Sequence, residues 1–364
     1  MMKRGVIMGK SKVYFCDLYS NSQSRNMPSN VRRLFDKAEF KDLVSENDQV
    51  AIKLHFGEKG NTTYMSPVAV RQVVDKIKDY GGKPFLTDTN TLYTGSRTNS
   101  VDHLTTAIEN GFAYAVVNAP IIIADGLYSR NYVDVEINKK HFDKVKIGGE
   151  IYNSSSMIVM SHFKGHEMAG FGGALKNLAM GCASAAGKQM QHSDVKPNVN
   201  ENKCIGCTKC VQSCPTKAIS MKEKKASIDH DVCYGCGECP TVCPTRAVTV
   251  QWESNEDVFI EKMAEFAYGS VVNKKDKVGY ITFVMNVTPL CDCVPWSGRP
   301  IAHDIGILAS KDPVALEQAC YDLVCKEMGH DVFKHAHPDV NATRIIDYAC
   351  EMGIGSKEYE LVKL

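Results

Sequence analysis

No apolar run in these 364 residues is long enough to cross a bilayer. Nor is there an excess of charge of either sign. Forty-three basic residues face 42 acidic ones, so no basic field is present to hold phosphate backbones, and nucleic acid is not an expected partner. The N-terminus, MMKRGVIMGKSKVYF, is basic but lacks the apolar stretch of a signal peptide, which makes the cytoplasm the expected location. With 44% hydrophobic and 23% charged residues, the chain has the composition of an ordinary globular protein. Its length suits a large α/β body with a smaller second unit.

What the chain has in abundance is cysteine. Fifteen thiols would mean disulfides in a small secreted domain, but in a large chain without an export signal they stay reduced and point to metal. Eight of them fall between Cys204 and Cys243, in two runs of the form C-x2-C-x2-C-x3-C-P. The first is Cys204, Cys207, Cys210 and Cys214-Pro215; the second is Cys233, Cys236, Cys239 and Cys243-Pro244. A [4Fe-4S] cluster needs four thiolates around one compact object. Two-residue spacings bring three sulfurs together from a tight loop, and the fourth cysteine of each run reaches the other cluster. One cluster is therefore expected on Cys204, Cys207, Cys210 and Cys243, and a second on Cys233, Cys236, Cys239 and Cys214. Gly206 and Gly235 let the backbone fold closely around them. Structural zinc favours separated pairs of ligands instead. The second run repeats the first 29 positions later (233 − 204 = 29), and neither half is large enough to bury a core alone.

On both sides of this segment short apolar strands alternate with helical stretches. VYFCDLYS, QVAIKLHF, KPFLTDTN, YAVVNAP and SMIVMSHF read as strands. Ser66-Pro67 begins a helix that Gly81-Gly82 closes, and another runs from Asn99 or Ser100 to Gly111. QHSDVKPNVNENK reads as a linker. Beyond the cysteines, DKVGYITFVMNVTP and HDIGILAS are further strands, and Asp312-Pro313 begins a helix ending near Gly329. The expected fold is α/β, a mostly parallel sheet with flanking helices, interrupted by an inserted α+β two-cluster ferredoxin-like module. The expected boundaries are 1–198 and 255–364 for the two parts of the body and 199–254 for the insertion.

In open parallel sheets the ligand crevice lies at the carboxyl ends of the strands. Polar groups follow several strands here: Lys53, His55 and Glu58; Asp88 and Asn90; His162, Lys164, His166 and Glu167; and Cys291, Asp292 and Cys293. Lys53, His55, Lys164, His166 and Lys176 are candidates to bind an anionic small molecule. GFGGALKNLAMGC resembles a glycine-rich turn into a helix start, where free N–H groups hold anions, although it equally serves close helix packing. Cys291 and Cys293 could share a metal or exchange electrons as a dithiol, or simply pack. His162 and His166, four apart, would face one metal on a helix, but Gly165 argues for a loop. His335 and His337 read as a solvated turn. Cys16, Cys182, Cys320, Cys325 and Cys350 read as core thiols.

Taken together, VAIKLHFGEKGNTTY, GGKPFLTDTNTLYTGSR, IIIADGL, SHFKGHEMAGFGGALKNLAMGCAS, both cysteine runs, CDC and DIGILASKDPVALEQA resemble a widespread prokaryotic family. Its members are uncharacterised iron–sulfur proteins, catalogued as domain of unknown function 362. The resemblance implies the two clusters and draws attention to the same body segments. The insertion itself, a ferredoxin-like module held between two body segments, leads to an expected redox protein whose clusters relay electrons to or from a body site, with a redox partner protein. A separate electron carrier and a metal-handling protein are the alternatives.

Overall fold

The computed structural model describes residues 10–93, 95–192, 196–214, 216–233, 238–249 and 256–364. Its first strands are β1 (Ser11–Asp17), β2 (Gln49–Lys53), β3 (Lys83–Asp88) and β4 (Ile121–Ile123). Then come β5 (Tyr132–Glu136), β6 (Lys144–Gly148), β7 (Ser156–His162), β8 (Lys164–His166) and β9 (Gly170–Gly172). The cysteine-rich segment holds β10 (Asn198–Val199), β11 (Ile219–Lys222), β12 (Lys225–Ile228) and β13 (Val248–Thr249). β14 (Val278–Val284), β15 (Gly306–Ser310) and β16 (Tyr359–Lys363) complete the chain.

Eight strands form the main sheet in the order β16-β1-β15-β14-β7-β2-β3-β4. β15 runs antiparallel to both its neighbours, and the other pairings are parallel. The mostly parallel α/β expectation therefore holds for the body. β7 shows why. Every residue of SMIVMSH is buried; Met157 and Val159 enter one apolar layer, while Ile158 and Met160 enter the layer on the opposite face. Helices Met27–Lys37 and Pro67–Asp79 cover the second layer. Helices Ala174–Cys182, Glu256–Val271 and Pro313–Met328 cover the first. Among the described residues no helix is long and apolar enough to cross a membrane.

Helix starts and stops follow local chemistry. The side chains of Asn99 and Asp312 accept N–H groups in the first turns of their helices, and Gly329 ends its helix at φ 72°. Ser66 occupies the cap position without a side-chain cap bond, leaving Pro67 to set the start. One expected strand is wrong: in YAVVNAP, Tyr114–Val117 is a helical turn, closed by Asn118 in the left-handed conformation (φ 60°). Asparagine tolerates that conformation, and the strand begins only after Pro120.

The cysteine-rich segment has its own small core, formed by Cys210, Ile219, Ala226, Cys239 and Val248. Its internal repeat is also a structural repeat. Helices Lys209–Ser213 and Glu238–Val242 start 29 residues apart, as do β11 and β13 (238 − 209 = 248 − 219 = 29). β10 pairs with β13, so the chain enters and leaves this segment on neighbouring strands. That arrangement lets an interruption of this length leave the two body parts in register.

A carboxyl group joins two body helices. Glu317 is fully buried on helix Pro313–Met328, and its Oε2 accepts the N–H of Ala174 at 2.7 Å. Oε1 has no partner among the described residues, and burial raises the pKa to about 7. A raised carboxyl pKa contributes stability below the unfolded value, 4.5, which is lost as pH rises through the folded one. Glu317→Gln, which stays uncharged, should match the parent near pH 4 and exceed it by about 3 kcal/mol above pH 8 in urea unfolding. Equal differences at both pH values would show that Glu317 does not titrate as described.

Candidate functional site

From the adjacent strands β2 and β7 the chain winds in opposite directions, to β3 and β4 on one side and β14 on the other. Such a reversal opens a crevice at the carboxyl ends of the strands. A cavity of about 380 Å³ lies there. Lys53, His55, Lys164, His166, Lys176, Cys291 and Cys293, the seven body residues singled out from sequence, all line it. Met65, Met160, Met168 and Met180 supply part of its apolar wall.

Lys53 ends β2 and is fully buried. Its ammonium meets Asp88 Oδ1 at 3.0 Å, the Leu54 carbonyl at 3.0 Å and Asn177 Oδ1 at 2.6 Å. All three N–H groups are thereby used, so Lys53 anchors the wall and has no donor left for a ligand. Gly181 makes this possible, because a Cβ there would lie 2.2 Å from the Lys53 nitrogen. Burial alone would raise the Asp88 pKa, but Lys53, His103 and Arg97 hold it below its ordinary value.

Arg97, only 1% exposed, was not anticipated. Its guanidinium bonds Glu58 at 3.1 Å and the Tyr93 hydroxyl at 2.6 Å, and lies 3.1 Å from His55 Nε2. Burial and then Arg97 push the His55 pKa well below its ordinary value. Lys188 also lines the cavity, bonding Thr89 Oγ1 at 2.5 Å and the Ala183 carbonyl at 2.7 Å. Burial lowers its pKa to about 8, against the opposing pull of Asp125. The sequence signal for Lys188 is one charge in the small-residue run ASAAGKQM; Arg97 had only its place in a loop after a strand.

Lys164 and Lys176 differ from Lys53. Among the described residues, Lys164 donates to the His162 carbonyl at 2.9 Å and lies 3.9 Å from Asp292 Oδ2, and Lys176 donates to Cys291 Sγ at 3.4 Å, so neither has all its N–H groups in hydrogen bonds. His166 Nδ1 accepts from the N–H groups of Met168 and Ala169, both at 3.2 Å. Burial, then Lys176 and Lys164, keep this ring neutral, so its one proton belongs on Nε2. The three residues together offer donors and no acceptor, which suits an anion.

Several expectations need correction. Lys164–His166 is β8 of a hairpin with β9, not a loop, and His162 and His166 form no ligand pair. His162 instead faces Asp292 Oδ2 and the Met285 carbonyl, both at 2.7 Å. The glycine-rich turn offers no free helix start, because Glu317 caps Ala174 from within. Asn90 is buried against Asp125 at 3.0 Å, outside the cavity lining.

Asp292 anchors the turn between the two body cysteines. It accepts from Thr63 at 3.2 Å and from His162, while its carbonyl accepts the Glu58 N–H at 3.1 Å. Burial would raise its pKa, but His162 and Lys164 bring it to about 2. The neighbouring Cys293 thiol first, then Lys176 and Lys164, hold the Cys291 pKa well below the usual thiol value, and the Cys293 pKa rises correspondingly.

In the cysteine-rich segment, Cys204, Cys207, Cys210 and Cys243 line one small pocket. Gly206 closes on it at φ 71°, where a Cβ would meet the Lys224 carbonyl at 2.5 Å. Backbone N–H groups of Ala226, Ala247 and Ala218 point at the sulfurs of Cys204, Cys243 and Cys214 at 3.4, 3.1 and 3.2 Å. Cys233 and Cys239 are described, whereas Cys236, Gly235 and Pro215 lie outside the described residues. Among the described residues, no three His, Cys, Asp or Glu side chains are arranged to hold a metal ion.

The chain belongs to the family described as "Domain of unknown function (DUF362)", which matches residues 50–322. Comparison with curated protein sequences gives no match. Similar solved structures include the lactate racemase apoprotein from Thermoanaerobacterium thermosaccharolyticum: 11% identity, TM-score 0.41, 85% of this chain and 56% of that one. A protein from Thermotoga maritima is also 11% identical, with TM-score 0.41 over 85% of this chain and 61% of its own. The chain therefore spans less than two-thirds of either structure.

The lysines separate by experiment. Lys53→Met should cost about 3–5 kcal/mol in denaturant unfolding, because it removes the cation in direct contact with the buried Asp88 and leaves only Arg97 and His103, 3.9 and 4.0 Å away. Lys176→Met should stay within about 1 kcal/mol of the parent, and Lys164→Met, which removes a cation 3.9 Å from the buried Asp292, should fall between that and Lys53→Met. A mild effect of Lys53→Met would contradict its assignment as an anchor.

Proposed function

We propose that this member of the DUF362 family is an iron–sulfur redox protein. Two [4Fe-4S] clusters would relay electrons to or from an anionic ligand in the body cavity. Cys204, Cys207, Cys210 and Cys243 would hold one cluster; Cys233, Cys236, Cys239 and Cys214 would hold the other. Each would exchange one electron at a time at low potential. The fit rests on four of these cysteines lining a single pocket, with N–H groups directed at Cys204 and Cys243; such bonds favour anionic sulfur.

One observation carries the relay reading. Thr91, Leu92 and Tyr93 line the cavity and also line a cleft of about 810 Å³ whose opposite side includes Cys243 and Pro244. The first cluster's fourth thiolate and the candidate ligand site therefore border the same three residues, Cys243 from across the cleft and the cavity from behind them. Within the cavity, Lys164, Lys176 and His166 Nε2 would bind the anion, and Lys53 and Arg97 would hold the wall rigid.

Exposure favours a partner protein at the other end of the relay. Cys207 is exposed, and the neighbouring Ile205 is 66% exposed. A docking partner would find a cluster ligand and an apolar contact together.

Anaerobically purified protein should contain about eight irons and eight acid-labile sulfides per chain. Cys243→Ser should lower both by about half while sparing the second cluster. Zinc in place of iron, or no sulfide, would overturn the proposal.

A further inference from the structure

We infer that Cys291 and Cys293 form a reversible dithiol–disulfide centre that takes up two electrons in the cavity. The inference rests on the relay proposed above only for the source of those electrons.

Geometry prepares the pair. The two cysteines flank Asp292 in a turn closed by the Val294 N–H on the Cys291 carbonyl at 3.2 Å. Asp292 is tied to His162 and Thr63, so the turn is fixed from behind while both flanking sulfurs line the cavity. Two cysteines two residues apart within one turn fall within reach of a disulfide. Both thiols face the same cavity, and the Lys176 ammonium lies 3.4 Å from the Cys291 sulfur. One thiolate beside one thiol, with a cation alongside, is the state reached when such a bond is reduced.

The same geometry disfavours a metal. Two thiolates need further ligands, and although Glu167 lines the same cavity, among the described residues no three His, Cys, Asp or Glu side chains come together to hold an ion. His166 presents an N–H, because its other nitrogen is taken by two backbone donors. Asp292 is engaged on the far side of the turn. Lys164 and Lys176 bring positive charge, which repels a metal ion and attracts thiolate.

The step balances. The Cys291–Cys293 S–S bond accepts two electrons and one proton from solvent, giving the Cys291 thiolate and the Cys293 thiol. The donors are the two proposed clusters, each giving one electron and being oxidised by one. Clusters of this class have lower potentials than common catalytic disulfides, so electrons run toward the cysteines. The pair thus gathers single electrons into a two-electron reductant beside the anion-binding lysines.

The test uses full-length, anaerobically purified protein. After equilibration with excess oxidised glutathione it is alkylated and digested, and the peptide carrying both cysteines is weighed. The expected peptide is unalkylated and about 2 Da lighter than the dithiol form. Reduced dithiothreitol should restore two alkylation sites, and Cys293→Ser should abolish the mass loss. Two alkylated thiols under every condition, or a stoichiometric metal protecting them, would overturn the inference whatever the iron content. In a second arm dithionite re-reduces the oxidised protein, and Cys243→Ser should slow that step without preventing disulfide formation. A disulfide that forms normally but is re-reduced equally fast in Cys243→Ser leaves the centre standing and counts against the relay.

Discussion

The buried ion pair between Lys53 and Asp88 is the contact on which the rest of the site depends. It closes the carboxyl ends of two neighbouring parallel strands, where backbone groups and charges would otherwise face an open crevice. A lone lysine or aspartate in that position would be prohibitively costly, whereas the pair, completed by Asn177 and the Leu54 carbonyl, satisfies every donor. Asn177 in turn reaches the Met160 carbonyl and Ser161 on β7, both at 2.9 Å. One ammonium therefore locks β2, β3, β7 and helix Ala174–Cys182 together at the point where the sheet reverses its winding.

Around this anchor the charges divide by role. Lys53 has all its donors occupied by protein, Arg97 is tied to Glu58 and Tyr93, and both shape the wall. Lys164 and Lys176 keep donors in reserve beside the cysteine pair. The division follows from position: strand-end and loop residues that complete buried networks become structural, and those on the hairpin and on the cavity side of the helix stay available.

Much of this was legible in the sequence because the signals were local. Fully apolar runs such as SMIVM mark central parallel strands, and polar residues placed just after them mark the crevice. Six of the seven body candidates were found in this way and Lys176 through the glycine-rich segment before its helix, and the cavity unites them. What local pattern could not supply was pairing across the chain. Nothing near Lys53 announces Asn177, 124 residues away. Nothing near Gly173 announces that Glu317 will cap the helix that follows. Arg97 was missed for the same reason, since its meaning lies in Glu58, Tyr93 and His55 together. The helical turn at Tyr114–Val117 was misread because a four-residue apolar run fits either a strand or a helix, and Asn118 decided between them.

The close approach of Gly181 to Lys53 also bears on how this sequence can change over time. The two positions occupy one space from opposite sides, so neither can be altered independently. A lineage that gained a side chain at position 181 would need to shorten residue 53, and without the ammonium the acid at position 88 would have to go as well. Drift at this site is therefore expected to move as a set of three positions or not at all, even though they belong to a helix and two separate strands.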